Sequence, residues 1–115
     1  MIRRRTLLLA LAAMPMLALA HHGWSEYDTT QMLKLTGTIE SAGYEHPHGF
    51  VKLKTADKTW LAVLAPPSRM ENRGLSRELL VAGAVATVEG YPNKSKPDEM
   101  RSERITIGGK TVELR

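Results

Sequence analysis

The sequence predicts a mainly β-stranded domain with one short helix, and three observations support this. Apolar and polar residues alternate in several short stretches, which is typical of half-buried strands. Glycine, proline and asparagine separate these stretches, and one segment has a helical pattern. The order of three strands, a helix and two or three further strands is that of a small OB-like, five- to six-stranded Greek-key barrel. A small open sandwich with the same elements is the alternative.

The first strand begins at Leu33. Its apolar residues alternate with polar ones and share one face of the strand: Leu33, Leu35 and Ile39. Gly37 lies within this pattern and predicts a bulge or bend, which small barrels use to curl a long first strand. Residues 44–49 interrupt the alternation and separate this strand from the next one.

Two further strands follow as a hairpin. In the second strand, Val51 and Leu53 alternate with lysines, and residues 56–58 form a short loop. The third strand spans residues 59–64. It ends before Pro66-Pro67, because proline cannot donate a hydrogen bond to a neighbouring strand.

The second half of the domain contains the helix and the remaining strands. Residues 76–82 (SRELLVA) predict a short helix that Ser76 caps and Gly83 closes. The later strands are expected at residues 84–90, at residues 100–107 and, after a Gly108-Gly109 turn, around Val112 and Leu114.

Residues 1–20 have the pattern of a secretory signal peptide. Three arginines precede an apolar run, and Ala18 and Ala20 form an A-x-A cleavage site. The run is too short for a membrane span. Arg4-Arg5 loosely resembles a twin-arginine signal, so both general and twin-arginine export stay open. Cleavage after Ala20 would leave an arm at residues 21–32 and one barrel domain at residues 33–115, located in the periplasm.

Composition narrows the function classes. The chain has 16 Lys+Arg against 12 Asp+Glu, but without the three signal-peptide arginines the net charge falls from +4 to +1. Nucleic-acid binding therefore has little support, despite a sequence pI near 9.6. The absence of cysteine excludes disulfides, thiolate metal sites and cysteine nucleophiles. There is no second apolar run long enough to span a membrane, so we expect a soluble protein after cleavage.

Enzymatic activity is not expected. The sequence contains no G-x-S-x-G motif, no phosphate-binding loop and no dinucleotide fingerprint. A redox enzyme built on the histidines ranks last among the functions considered, because a domain of this size leaves little room for both a core and a substrate cleft.

All four histidines fall in two pairs, His21-His22 and His46-Pro47-His48. Cleavage after Ala20 would make His21 the first residue, so that its amino group and its imidazole could chelate one metal ion. If residues 46–48 are extended, both of their imidazoles point to the same side. The sequence thus predicts a Cu(II) site, or a weaker Zn(II) site, with His21, His22 and His48 as ligands and His46 as a lesser candidate.

Two alternatives accompany the metal site. If the histidines bind no metal, they are polar residues of a frayed terminus and of a hydrogen-bonded turn. The protein would in that case be a non-enzymatic module that binds a protein or glycan partner. The aromatic residues form a stacking platform or, as we favour, pack in the core and hold the arm: Trp24, Tyr27, Tyr44 and Trp60. Several arginines form an anion or partner site or, as we favour, a salt-bridged surface: Arg69, Arg73, Arg101 and Arg104.

Three segments resemble a family of small exported bacterial proteins that is classed as a domain of unknown function. They are His21-His22-Gly23-Trp24-Ser25-Glu26-Tyr27-Asp28, Leu35-Thr36-Gly37-Thr38-Ile39 and His46-Pro47-His48. Members of that family typically have Ser, Phe and Asn where this chain has Gly23, Tyr27 and His46. The resemblance implies a periplasmic β-rich domain and implies no established activity.

Overall fold

The computed structural model describes residues 23–115. The predicted signal peptide, His21 and His22 lie outside the described residues. The strands are β1 (Leu33–Gly43), β2 (Phe50–Lys54), β3 (Thr59–Val63), β4 (Val85–Pro92), β5 (Glu99–Ile107) and β6 (Lys110–Glu113). One α-helix, α1 (Pro67–Asn72), and two 3₁₀ turns, Trp24–Glu26 and Arg77–Leu79, complete this part of the chain. Within it, no helix has both the length and the apolar character that membrane crossing requires.

The strands form a closed barrel. Antiparallel neighbours follow the order β3-β2-β1-β4-β5-β6, and a parallel pairing of β3 with β5 closes a ring of five strands. In that pairing Leu61 lies opposite Glu99 and Val63 opposite Arg101, while β6 adds to β5 outside the ring. With α1 between β3 and β4, this is the OB-like Greek-key barrel, and the predicted fold class is confirmed.

The long strand β1 belongs to both halves of the barrel. Its first part pairs with β4 and its second part with β2, so the strand must bend between them. The irregularity lies between Ile39 and Ser41, not at Gly37 where the sequence predicted it. Gly37 instead permits a close approach of strands, because a Cβ there would lie 2.2 Å from the carbonyl oxygen of Lys54.

The core fills the inside of this ring. Alternate residues of the strands point inward and are at most 3% exposed, among them Ile39, Val51, Leu53, Ala62, Val88, Met100 and Ile105. The side chain of Met70 on α1 is fully buried and belongs to the same core, as do Leu64 and Leu75. Burial of these apolar side chains is the main stabilising contribution in a chain without disulfides.

The predicted helix at residues 76–82 is wrong in position. The α-helix lies at Pro67–Asn72, and residues 76–82 contain a 3₁₀ turn at Arg77–Leu79. Proline at the first helical position favours a helix start, so the prolines that end β3 also begin α1. The later segment cannot continue as a helix, because Gly83 donates to the Ile39 carbonyl oxygen at 2.8 Å and brings the chain back to β1.

Candidate functional site at the N-terminal arm

The segment before β1 is bound to the barrel surface. The Asp28 amide donates to the Pro92 carbonyl oxygen and the Lys94 amide donates to that of Glu26, each at 2.9 Å. Tyr27 forms an isolated bridge with Asn93. These backbone contacts hold the arm along the outside of β4 and of the loop that follows it. The part of the arm described here is therefore not a frayed terminus.

The Tyr27 side chain fixes the arm to β5. It is 7% exposed, and its hydroxyl donates to the Glu99 carboxylate. Asn93 Nδ2 donates to the same Glu99 oxygen at 3.2 Å. Burial raises the pKa of Tyr27, and the hydrogen bond to Glu99 raises it further. The hydroxyl consequently remains a protonated donor across the physiological range.

Trp24 continues the contact along the same strand. Its ring lies 4.4 Å from the guanidinium carbon of Arg101 and 4.5 Å from that of Arg115, and it meets Tyr91 edge to face. Such cation–π contacts are favourable and gain strength when the cation is desolvated. Two rings of the arm thus lie beside two successive outward positions of β5, Tyr27 at Glu99 and Trp24 at Arg101.

His48 contacts the same guanidinium. Its Nε2 lies 3.3 Å from Arg101 Nη2, and because arginine can only donate, Nε2 is the acceptor and the ring is neutral. Burial lowers the pKa of His48, and the charges of Arg101 and Arg69 lower it further. Arg101 therefore joins the arm to the turn between β1 and β2 through one side chain.

His46 faces a different region. It is exposed and lines a cleft of about 670 Å³ between this turn and α1, together with Tyr44, Glu71 and Arg77. Burial raises the pKa of Tyr44 to about 12, with Glu71 contributing to the shift. Residues 44–49 are a turn rather than an extended strand, so the expectation that His46 and His48 share one face is wrong.

The two predicted metal ligands that the structure describes, His46 and His48, thus have different neighbours. His48 lies at the arm, His46 lies in the cleft, and His21 and His22 lie outside the described residues. Within residues 23–115, no group of three or more His, Cys, Asp or Glu side chains is arranged to hold a metal ion.

The aromatic residues do not form one stacking platform. Tyr27 and Tyr44 are buried, Trp24 contacts arginines, and Trp60 packs against the core with Lys58 Nζ 4.2 Å from its ring. Their positions agree with the other interpretation of the sequence, in which the aromatic residues hold the arm and line the core.

Sequence reasoning missed the environment of Arg101. The expected salt-bridged surface is present at Arg104, which pairs with Glu89 and Glu113. Arg101, at the next outward-facing position of β5 after Glu99, is instead only 5% exposed. Its contacts with Trp24 and His48 come from segments that are distant in sequence, and no local pattern could have indicated them.

The comparisons with known proteins identify a family and a fold. The sequence model of a family of unknown function, DUF6152, matches residues 9–100. The TiaS–tRNA(Ile2)–ATP complex is similar over 76% of this chain and 19% of that chain, with 24% identity and a TM-score of 0.53. The TiaS–tRNA(Ile2)–AMPCPP–agmatine complex covers 76% and 20%, with 26% identity and the same TM-score of 0.53.

This chain spans about a fifth of the length of those TiaS chains. The likeness is to the barrel and shows the fold alone. No curated protein matches the chain.

Proposed function

This chain belongs to the family of unknown function DUF6152, and we propose that it binds one Cu(II) ion, or Zn(II) less tightly, through nitrogen donors of His21, His22 and His48. In this proposal the first 20 residues are removed on export to the periplasm. The observation that carries it is the contact that Trp24 and His48 share with Arg101.

That contact places Trp24 and His48 against the same guanidinium. His22 precedes Trp24 by two residues, and two residues span at most about 7 Å between Cα atoms. Trp24 itself is held against the barrel by Arg101 and Tyr91. In this proposal, donors within two residues before Trp24 reach the turn that carries His48, whereas His46 lines the cleft beside α1. This geometry favours His48 over His46 as the third ligand.

The donor chemistry agrees with copper. A free amino group at His21 has an ordinary pKa of about 7.7–8.0 and loses its proton readily near neutral pH. Cu(II) has the highest affinity of the common divalent ions for nitrogen sites of this kind. Because the pKa of His48 is lowered, its imidazole is already neutral and needs no deprotonation before it binds a metal.

Arg101 sets a limit on the contribution of His48. A metal bound through Nε2 must displace the Arg101 hydrogen bond, and the guanidinium charge opposes a second cation nearby. This cost applies to His48 but not to the amino group of His21. We therefore expect the amino-terminal pair to supply most of the affinity and His48 to supply a smaller part.

The test is a titration with Cu(II) of the processed protein, whose first residue is His21, in a buffer that does not coordinate copper. Calorimetry and electron paramagnetic resonance monitor the titration. We expect one Cu(II) per chain with nitrogen hyperfine structure, and an affinity that falls as pH drops below about 6. One alanine added before His21 should weaken binding by about a hundredfold, and His48→Ala by about tenfold.

His46→Ala is the matched control, because it removes an imidazole from the same turn without touching Arg101. Its affinity should equal that of the unmodified protein. If the added alanine and His48→Ala also leave the affinity unchanged, the histidines are incidental and the copper proposal is wrong.

A second candidate function rests on the cleft beside α1. A non-enzymatic module would bind a protein or glycan partner there, through polar groups such as the carboxylate of Glu71 and the guanidinium of Arg77. In that case binding of the partner should be insensitive to chelators, and Arg77→Ala should weaken it while His48→Ala should not.

A further inference from the structure

The cleft between α1 and the turn from β1 to β2 is large enough for a ligand. Its volume of about 670 Å³ lies within the range of about 300–1,000 Å³ that is usual for ligand pockets. The turn, α1 and the second 3₁₀ turn all contribute to its walls. Charged side chains of both signs line the cleft beside a tyrosine ring: Tyr44, Glu45, Glu71 and Arg77.

The Tyr44 hydroxyl faces two acceptors but has one proton. The Leu75 carbonyl oxygen is the nearer acceptor, and Glu71 Oε2 lies 3.0 Å from the hydroxyl. Tyr44 is 9% exposed, and burial raises its pKa to about 12, so the hydroxyl is protonated at neutral pH. A phenolic hydroxyl has one hydrogen to donate. When it donates to Leu75, the Glu71 carboxylate has no donor among the residues that the structure describes.

Arg77 brings the opposite charge to the same cleft. Its guanidinium carbon lies 5.2 Å from the centre of the Tyr44 ring, and its Nη2 donates to the Tyr44 carbonyl oxygen at 3.4 Å. Within residues 23–115, neither Arg77 nor Glu71 forms an ion pair. Because a guanidinium group has five N–H donors, most of those of Arg77 remain available to a ligand.

These features favour a ligand with two charges over a neutral sugar or a metal ion. The guanidinium of Arg77 lies over the Tyr44 ring, so that face of the ring cannot stack on a sugar. Among the described residues, Glu45, His46 and Glu71 are not arranged to hold a metal ion. An ammonium group, in contrast, supplies the donor that Glu71 lacks, and a carboxylate matches the planar guanidinium of Arg77.

We propose that the cleft binds a short peptide segment that presents an ammonium group to Glu71 and a carboxylate to Arg77. This inference rests on the second candidate function, in which the cleft binds a partner, and it specifies a peptide rather than a glycan. Glu71 and Arg77 are exposed, and a single exposed ion pair contributes little free energy. Recognition therefore depends on the presence of both charges on one ligand.

Four small compounds test the proposal on protein freed of metal, so that copper binding does not affect the result. Triglycine carries both charges, N-acetyltriglycine lacks the ammonium group, triglycinamide lacks the carboxylate, and maltotriose represents a neutral glycan. Chemical-shift changes of the backbone amides, measured by nuclear magnetic resonance, report weak binding and its location. We expect saturable changes around the cleft with triglycine, and about fivefold weaker binding of the two singly charged peptides.

Two substitutions assign the two charges to residues. In Glu71→Gln, triglycine and N-acetyltriglycine should bind equally, because the carboxylate that prefers the ammonium group is gone. In Arg77→Met, triglycine and triglycinamide should bind equally for the corresponding reason. Glu78→Gln is the matched control, because Glu78 is next to Arg77 but does not line the cleft. Its affinity for triglycine should equal that of the unmodified protein.

Equal binding of the three peptides to the unmodified protein would overturn the proposal, and this comparison does not require any variant to fold. Changes around the cleft with maltotriose alone would also overturn it, while leaving the cleft as a glycan site. The absence of saturable changes with all four compounds would overturn the peptide assignment. The partner-binding function itself is tested separately by Arg77→Ala.

Discussion

Replacing Tyr27 by phenylalanine tests whether the arm is part of the folded domain. The substitution keeps a ring that is 7% exposed and removes the hydroxyl that donates to Glu99. Hydrogen bonds to charged groups contribute about 1.5–3 kcal/mol to stability. Glu99 keeps the hydrogen bond from Asn93 Nδ2, so its carboxylate is not left unpaired. We therefore expect the lower end of that range, about 1.5 kcal/mol.

This magnitude is measurable. In a domain of this size, a change of 1 kcal/mol shifts the melting temperature by roughly 4–8 °C, so Tyr27→Phe should lower it by about 6–12 °C. Burial and Glu99 raise the pKa of Tyr27 in the folded protein, so this stabilisation is complete below the ordinary tyrosine pKa of about 10 and is lost as pH rises beyond it. The difference between unmodified protein and Tyr27→Phe should accordingly shrink above about pH 10.

Thermal unfolding followed by circular dichroism measures the shift, and amide hydrogen exchange at Asp28 and Lys94 reports on the arm itself. Tyr91→Phe is the matched control, because within residues 23–115 the Tyr91 hydroxyl forms no hydrogen bond, and its ring should keep the contact with Trp24. Equal melting temperatures for Tyr27→Phe and Tyr91→Phe, with unchanged exchange at both amides, would refute the assignment of the arm to the cooperative fold.

Two further predictions concern the barrel and the turn between β1 and β2. Gly90→Ala should lower the free energy of unfolding, measured in urea, by about 3 kcal/mol, because its Cβ would lie 1.9 Å from the Arg101 carbonyl oxygen. Gly83→Ala is the control: Gly83 has a φ of 93° but nothing within 4 Å of its Cβ, so its substitution should cost only about 1–2 kcal/mol. Equal losses of stability in the two variants would contradict this. The lowered pKa of His48 favours its neutral form in the folded protein, so the stabilisation it gives is complete above about pH 6.5 and is lost as pH falls through the folded-state pKa. Between pH 7.5 and pH 5, the urea midpoint should therefore decrease less in His48→Gln than in the unmodified protein. Parallel decreases in the two proteins would contradict the lowered pKa of His48.

The strands could be predicted from the sequence because their signal is local. Val51 and Leu53 alternate with exposed lysines, and Gly108-Gly109 marks a tight turn, so neighbouring residues already determine the pattern. Closure of the ring has no such local signal, since the partners Leu61 and Glu99 lie in separate parts of the sequence. The topology was inferred from the order of elements alone.

The predictions from the sequence that were wrong depend on contacts between residues that are distant in the chain. Pro66-Pro67 predicts the end of a strand, but Pro67 also begins α1. A shared face for His46 and His48 depends on an extended segment, whereas the chain turns between β1 and β2 and directs them to different neighbours. Arg101 was assigned to a solvated surface, because its cover, Trp24, is supplied by a segment more than seventy residues earlier in the chain. Contacts of this kind depend on the assembled barrel.

The parallel pairing of β3 with β5 also has a consequence for how the chain folds. The strands β1, β2 and β3 are successive neighbours, so their contacts form between residues that are close in sequence. The ring closes only when β5 pairs with β3, and β1 must also pair with β4, whose partners Leu33 and Gly90 lie even farther apart in the sequence; both pairings cost chain entropy that the meander does not. Until then, the three-stranded meander exposes an unpaired edge of β3 and the apolar side chains of Val51, Leu53 and Ala62, which are the features that promote aggregation. The yield of soluble protein is therefore expected to follow the rate at which β5 reaches β3, so substitutions that slow this step would increase aggregation even where the final stability is unchanged.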